Sequence, residues 1–194
     1  MEGIIALATG LGLATASGLN AYLPLLTIGI FARLGWIQLA SPFDLLTNVF
    51  VLLILAALAA LDFVGDKVPA VDSAIHAAGL VIAPIAGAIL ALASQGEIAT
   101  LNPILVGAAG LIAAGSTHAA RAVARPVVTA ATAGTGNIVV SAAEDGAALI
   151  ISVLAILVPV LAVILVIVMA FVAFRFFRGA SQVWRKKEAV NGRH

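Results

Sequence analysis

Long apolar runs, broken at a few polar points, organise this chain. The runs at 45–61, 104–114 and 149–174 hold hardly a polar side chain. A stretch of about 18 or more apolar residues reads as a transmembrane helix. The pattern predicts an apolar but interrupted segment over 3–34, then spans at 45–64, 73–93 and 104–124. A mixed segment follows at 126–146, then a span at 147–174 and a polar tail at 179–194. At 1.5 Å per residue, 3–34 would be about 45 Å long, more than a hydrocarbon core of about 30 Å requires. It is therefore one long, broken helix or two shorter pieces.

The breaks are more informative than the runs. The first is Ser17-Gly18-Leu19-Asn20-Ala21-Tyr22-Leu23-Pro24, where a plain membrane anchor would carry none of Gly18, Asn20 or Pro24. The segment 126–146 is too polar for a lipid-facing helix and too apolar for an ordinary loop. The two regions also echo each other. Residues 12–21 align with 110–119, Pro24-Leu25-Leu26-Thr27 with Pro126-Val127-Val128-Thr129, and Ser41-Pro42-Phe43-Asp44 with Ser141-Ala142-Ala143-Glu144. This order predicts two membrane repeat units, 1–100 and 101–178. If each unit crosses an odd number of times, the copies are inverted, as in transporters whose interrupted helices meet near the midplane.

Composition sharpens the class. Hydrophobic residues make up 63%, charged residues 10%, and the mean hydropathy is +1.19, whereas soluble domains are about one quarter charged. The expected fold is all-α: a polytopic transmembrane helical bundle with an inverted internal repeat and broken or re-entrant helices. The abundant Ala and Gly of the middle helices predict close helix packing. The first segment does not read as a signal peptide, since Glu2 is its only early charge. There are no cysteines, which removes disulfide and thiol chemistry. Arg175, Arg178, Arg185, Lys186, Lys187 and Arg193 follow most of the last apolar run or lie beyond it. The positive-inside rule then predicts a cytoplasmic C-terminus. That tail reads as a topology anchor near anionic lipid, not a nucleic-acid site.

Few side chains offer chemistry. Asn20 can donate and accept beside a glycine, as a ligand or as a helix–helix hydrogen bond. Asp62, Asp66, Lys67 and Asp72 cluster, with Asp62 and Asp66 four apart and on one face of a continued helix. They would bind a cation or relay protons, or form an interfacial turn neutralised by Lys67. His118, Arg121 and Arg125 line one helical face. Arginine is costly in a bilayer unless paired or snorkelled, and Glu144 and Asp145 are natural partners. The stripe would attract an anion with help from Thr129, Thr132 and Asn137, or form structural salt bridges. His76 stands alone and reads as packing. No Walker loop, G-x-S-x-G elbow or H-E-x-x-H motif occurs, so no catalytic residue, metal ligand set or cofactor is assigned.

Several stretches resemble an uncharacterised bacterial membrane family, the domain of unknown function 4126. They are Ser17-Gly18-Leu19-Asn20-Ala21-Tyr22-Leu23-Pro24, Ala32-Arg33-Leu34-Gly35-Trp36, Asp66-Lys67-Val68-Pro69-x-Val71-Asp72, and Ser141-x-x-Glu144-Asp145 with Leu154-Ala155 and Pro159. The resemblance implies a multi-pass inner-membrane protein and supplies no activity. Asp62 stands where that pattern usually has Glu, and Ile138 follows Asn137 where Pro is usual. The leading expectation is a small transporter or channel-like protein, with an ion or small charged solute bound between two inverted halves. The alternative is a non-transporting membrane component that binds lipid or a partner membrane protein, and an intramembrane lipid-headgroup enzyme stands third. The partners expected are the bilayer, the solute or ion, and a second copy of the chain.

Overall fold

Glycine, asparagine and proline set the helix ends. The computed structural model of the chain describes residues 2–65, 69–96, 101–133, 135–168, 171 and 175, with the side chains of 69–74 and 76 excepted. Helix α1, Glu2–Ser17, ends where Gly18 and Asn20 weaken helix propensity. The Asn20 Oδ1 accepts from the backbone N–H groups of Tyr22 and Leu23, both at 3.0 Å, and so starts α2, Tyr22–Arg33. Pro24 falls in the first turn of α2, where a missing N–H costs no helix bond. A short 3-10 helix, Phe43–Thr47, precedes α3, Val49–Gly65. Then come α4, Pro69–Ala93, and α5, Pro103–Thr132, which opens on an Asn102 cap and closes at Ala133 with φ 51°. Helix α6 is Gly136–Leu157 and α7 is Pro159–Val168. The described residues are helical or irregular, with no strand among them.

Side-chain meetings fix how the helices run. Ser94 meets Ala6, and Ser17 meets Ala83, so α1 and α4 are antiparallel. Helix α5 is antiparallel to α4, because Gly107 faces Leu92 and Gly79 faces His118. At their crossing a Cβ on Gly87 would lie 2.6 Å from the Gly110 carbonyl oxygen, so only glycine lets the backbones come this close. The loop after α2 returns to the start of α1. Ile37 and Gln38 lie beside Ile5, Ala6 and Thr9, and the Ala40 N–H donates to the Ala93 carbonyl at 2.9 Å. Helices α1 and α2 are thus the arms of one hairpin. Its tip, residues 18–21, rests near the middle of α4 and α5. Gly12 touches both Ala155 and Ala162, and Leu165 and Val166 join the cluster around Ala16, Leu19 and Ile151. The chain therefore reverses at Val158, and α7 runs back along α6.

Around an apolar core that includes Leu13, Ile28, Leu90 and Ile151, large apolar side chains also face outward and several polar ones inward. Ile104, Phe50 and Val139 are 79%, 77% and 70% exposed, whereas Asn20, His118 and Arg125 are 2%, 4% and 4% exposed. Two helices among the described residues, α5 and α6, are long and apolar enough to cross a membrane.

Three expectations require correction. Segment 126–146, expected as a re-entrant or polar segment, is divided between two helices: α5 passes through Pro126 to Thr132, and α6 begins at Gly136. The span expected at 147–174 stops at Leu157, because Pro159 lacks an N–H and disfavours helical backbone at Val158. The two aligned segments are not inverted. Both α1 and α5 are antiparallel to α4, so they run in the same direction, and only the first copy is broken.

Candidate functional site

The hairpin tip brings together charges from three other helices. Asn20 uses all four of its hydrogen-bonding positions. Its Oδ1 caps α2 as above, and its Nδ2 donates to Asp62 Oδ2 on α3 and to Asp145 Oδ1 on α6, each at 2.9 Å. One amide therefore bridges two carboxylates and begins a helix. An aspartate here would offer the same cap but no donor.

Arg121 and Arg125 are four apart on α5 and share a face. The Arg121 Nε and the Arg125 Nη2 both donate to Glu144 Oε2 at 2.7 Å. The Arg121 Nη1 also donates to the Leu19 carbonyl at 2.7 Å. That carbonyl belongs to the turn just past the C-terminus of α1, where helix partial charge favours a cation. Asp62, Arg121 and Asp145 are buried. Removing such charges from water costs several kcal/mol each, so the network holds only through mutual pairing.

His118 lies one turn before Arg121 on α5. Its ring fills a niche made by Gly79 of α4, where a Cβ would come within 2.5 Å of His118 Cε1. Beside the ring is a cavity of about 70 Å³, lined on its polar side by Ser17, Asn20, Tyr22, Asp62, His118 and Arg121. Its opposite wall is α4, through Ile75, Ala78, Gly79 and Ile82.

Of the residues singled out in the sequence, Asn20, Asp62, His118, Arg121, Arg125, Glu144 and Asp145 converge here. Thr129, Thr132 and Asn137 do not. They tie the α5–α6 corner, where Asn137 Nδ2 donates to Thr129 Oγ1 at 2.9 Å and Thr132 Oγ1 accepts from the Gly136 N–H at 3.0 Å. Asp66 and Lys67 lie outside the described residues. Asp72 is on α4, with its side chain outside the description. The Leu19 carbonyl, Ser17, Tyr22 and Gly79 were missed as site residues. Ser17, Leu19 and Tyr22 flank the Asn20 break and were legible as its neighbours. Gly79 is one of many small residues on α4 and carries no separate signal.

The model of a family described as domain of unknown function (DUF4126) matches residues 7–179, a range that takes in the whole network. No curated protein and no solved structure matches the chain.

Proposed function

This chain belongs to the domain of unknown function 4126 family, whose description carries no activity, and we propose from the hairpin-tip network that it is a small membrane transporter or channel-like protein. The observation that carries the reading is a buried network of carboxylates and guanidiniums inside a bundle whose outer surface is apolar. Lipid suits such a surface, and ionisable groups inside a membrane protein mark ion or substrate paths by default. The break at 18–21 fits the same setting. Non-helical backbone is tolerated at membrane depth where protein buries it or a wet cavity lines it, and here Gly18 packs on Ala114 and His118.

In this reading α3 to α6 cross the bilayer, and α1 with α2 forms a re-entrant hairpin. The basic tail puts the C-terminus in the cytoplasm of a cell with this protein in its inner membrane. The ion or small charged solute passes the hairpin tip between α1–α2 and the α4–α5 pair. Inverted halves form no part of it, since α1 and α5 run in the same direction.

Flux into proteoliposomes tests the reading with two variants. Asn20→Ala removes the bridge between carboxylates. Gly79→Ala keeps every hydrogen-bonding group and pushes the His118 ring toward the cavity. Both are expected to lose flux while remaining monodisperse in detergent. Normal flux in both, or no flux in the wild type, defeats the proposal. A second reading draws on the full pairing of Asn20: the network is a structural lock in a protein that binds lipid or a membrane partner. Under that reading the variants lose stability and there is no flux to lose.

A further inference from the structure

We propose that the corner between α2 and α3 binds the headgroup of phosphatidylethanolamine, with Arg33 on the phosphate and Asp44 on the primary ammonium; this rests on the membrane placement in the reading above and not on transport. The corner is built by close approach. A Cβ on Gly29 would lie 2.5 Å from the Leu46 carbonyl oxygen and 2.8 Å from Leu52 Cδ2, so α2 is pressed against the short 3-10 helix and the start of α3. Arg33 lies one turn beyond Gly29, and its Nη1 donates to the Thr47 carbonyl at 2.9 Å. Both residues line an open pocket of about 430 Å³, together with Asp44, Leu45, Asn48 and Phe50. Pockets for small organic groups run to about 300–1,000 Å³, so a headgroup fits by size.

Charge selects the headgroup. Arg33 and Asp44 are both exposed, and among the described residues no ion pair joins one to the other. The pocket wall thus carries one positive and one negative group at separate points. A guanidinium matches phosphate through its fork of N–H donors. A carboxylate accepts hydrogen bonds and gives none, so Asp44 favours a cation that donates. The ammonium of ethanolamine does so. The quaternary nitrogen of choline has no N–H, and a glycerol headgroup brings no positive charge to meet Asp44. A zwitterion with a primary ammonium answers both walls.

The surroundings suit the level of lipid headgroups. Trp36, three residues past Arg33, is 63% exposed and packs edge-on against Phe31 with ring centroids 5.3 Å apart. Tryptophan is enriched at membrane–water interfaces. Beyond the pocket, Phe50, Ile54 and Leu61 are exposed at helical spacing along one face of α3. The acyl chains of a lipid held by Arg33 and Asp44 lie along that stripe. A soluble phosphate ester gains nothing from it, which commits the site to a lipid and not to a free headgroup.

The test is native mass spectrometry of the full chain, purified in detergent and offered equimolar dioleoyl phosphatidylethanolamine, phosphatidylcholine and phosphatidylglycerol. Wild-type protein is expected to retain phosphatidylethanolamine at least about tenfold over either of the others, the order of one hydrogen bond to a charged group. Asp44→Asn should remove most of that preference while total lipid retention stays near wild type. Arg33→Gln should lower retention of all three lipids. A merely structural role would change the yield of folded protein and leave the preference unmoved; if Arg33→Gln does not fold, Asp44→Asn decides. Soluble phosphoethanolamine in large excess should not displace the lipid, and displacement overturns the lipid assignment. No headgroup preference, a preference for phosphatidylglycerol, or a second copy of the chain in place of lipid overturns the inference and leaves the transport reading to its own flux measurement. Recovery of the chain in the aqueous phase without detergent overturns the membrane placement, and with it both proposals.

Discussion

At the hairpin tip, Ser17-Gly18-Leu19-Asn20 leaves the helical path four residues before Pro24. In α5 the run 119–125 stays helical straight through Pro126. The two stretches carry the same order of features: small residues, a polar side chain, Pro-x-x-Thr. Proline alone therefore does not break a helix here. What differs is the chain before it. Gly18 and Asn20 are weak helix formers, and Asn20 offers its own side chain as a cap. In α5 the aligned positions are Ser116 and His118, but Ala119, Ala120, Ala122 and Ala124, of the best helix-forming type, lie between them and Pro126, and Arg121 and Arg125 fasten that turn to one glutamate. The broken copy supplies a backbone carbonyl and an amide, while the straight copy supplies charge. They meet where Leu19 accepts from Arg121.

The largest effect should come from removing what holds the straight copy. Glu144→Ala takes away the carboxylate that Arg121 and Arg125 share. Breaking a buried pair from one side costs about 3–5 kcal/mol. Thermal unfolding in detergent should show this loss, with the exposed Glu2→Ala as an unaffected reference. A change under about 1 kcal/mol would mean that the network contributes little to holding the hairpin on α5.

Some of this was legible in the chain and some was not. The spacing of His118, Arg121 and Arg125 puts them on one face of any helix, and Glu144 is the nearest acid available to satisfy them. The oddity of Gly18, Asn20 and Pro24 marks a break whatever surrounds it. That Asp62 would join Asn20 could not be read, because 42 positions separate them and nothing local aims α3 at the hairpin tip. The aligned segments misled for a related reason. In a chain this rich in Ala, Gly and Leu, matched order carries little about direction, which is set by packing such as Gly87 on Gly110. At 147–174 hydropathy ran on past Pro159 although the backbone turned, because apolar side chains suit both arms of the α6–α7 hairpin.

A second, smaller effect bears on the prolines. Pro126 lies inside α5, where it removes an intrahelical bond to Ala122 and costs up to about 3 kcal/mol. Its side chain is exposed. Pro126→Ala should therefore raise stability, by at most that amount, without altering the network. Pro24→Ala should bring no such gain, because Pro24 sits in the first turn of α2 and is fully buried. If Pro24→Ala stabilised as much as Pro126→Ala, the contrast between a capped start and an interrupted interior would be wrong.

The smallest effect isolates the cap itself. Asn20→Ser keeps an oxygen able to accept from the start of α2 but loses the amide that bridges Asp62 and Asp145. Asn20→Ala loses both. Serine is about as good an N-cap as asparagine, and removing such a cap costs about 1 kcal/mol. The two variants should therefore differ by about that much in unfolding free energy, with Ser the more stable. Their common loss relative to wild type measures the bridge, where hydrogen bonds to charged groups contribute about 1.5–3 kcal/mol. Equal stability for Ser and Ala would show that α2 starts without help from residue 20. The break would then be imposed by Gly18 and the packing of α5, and the amide would serve the carboxylates alone.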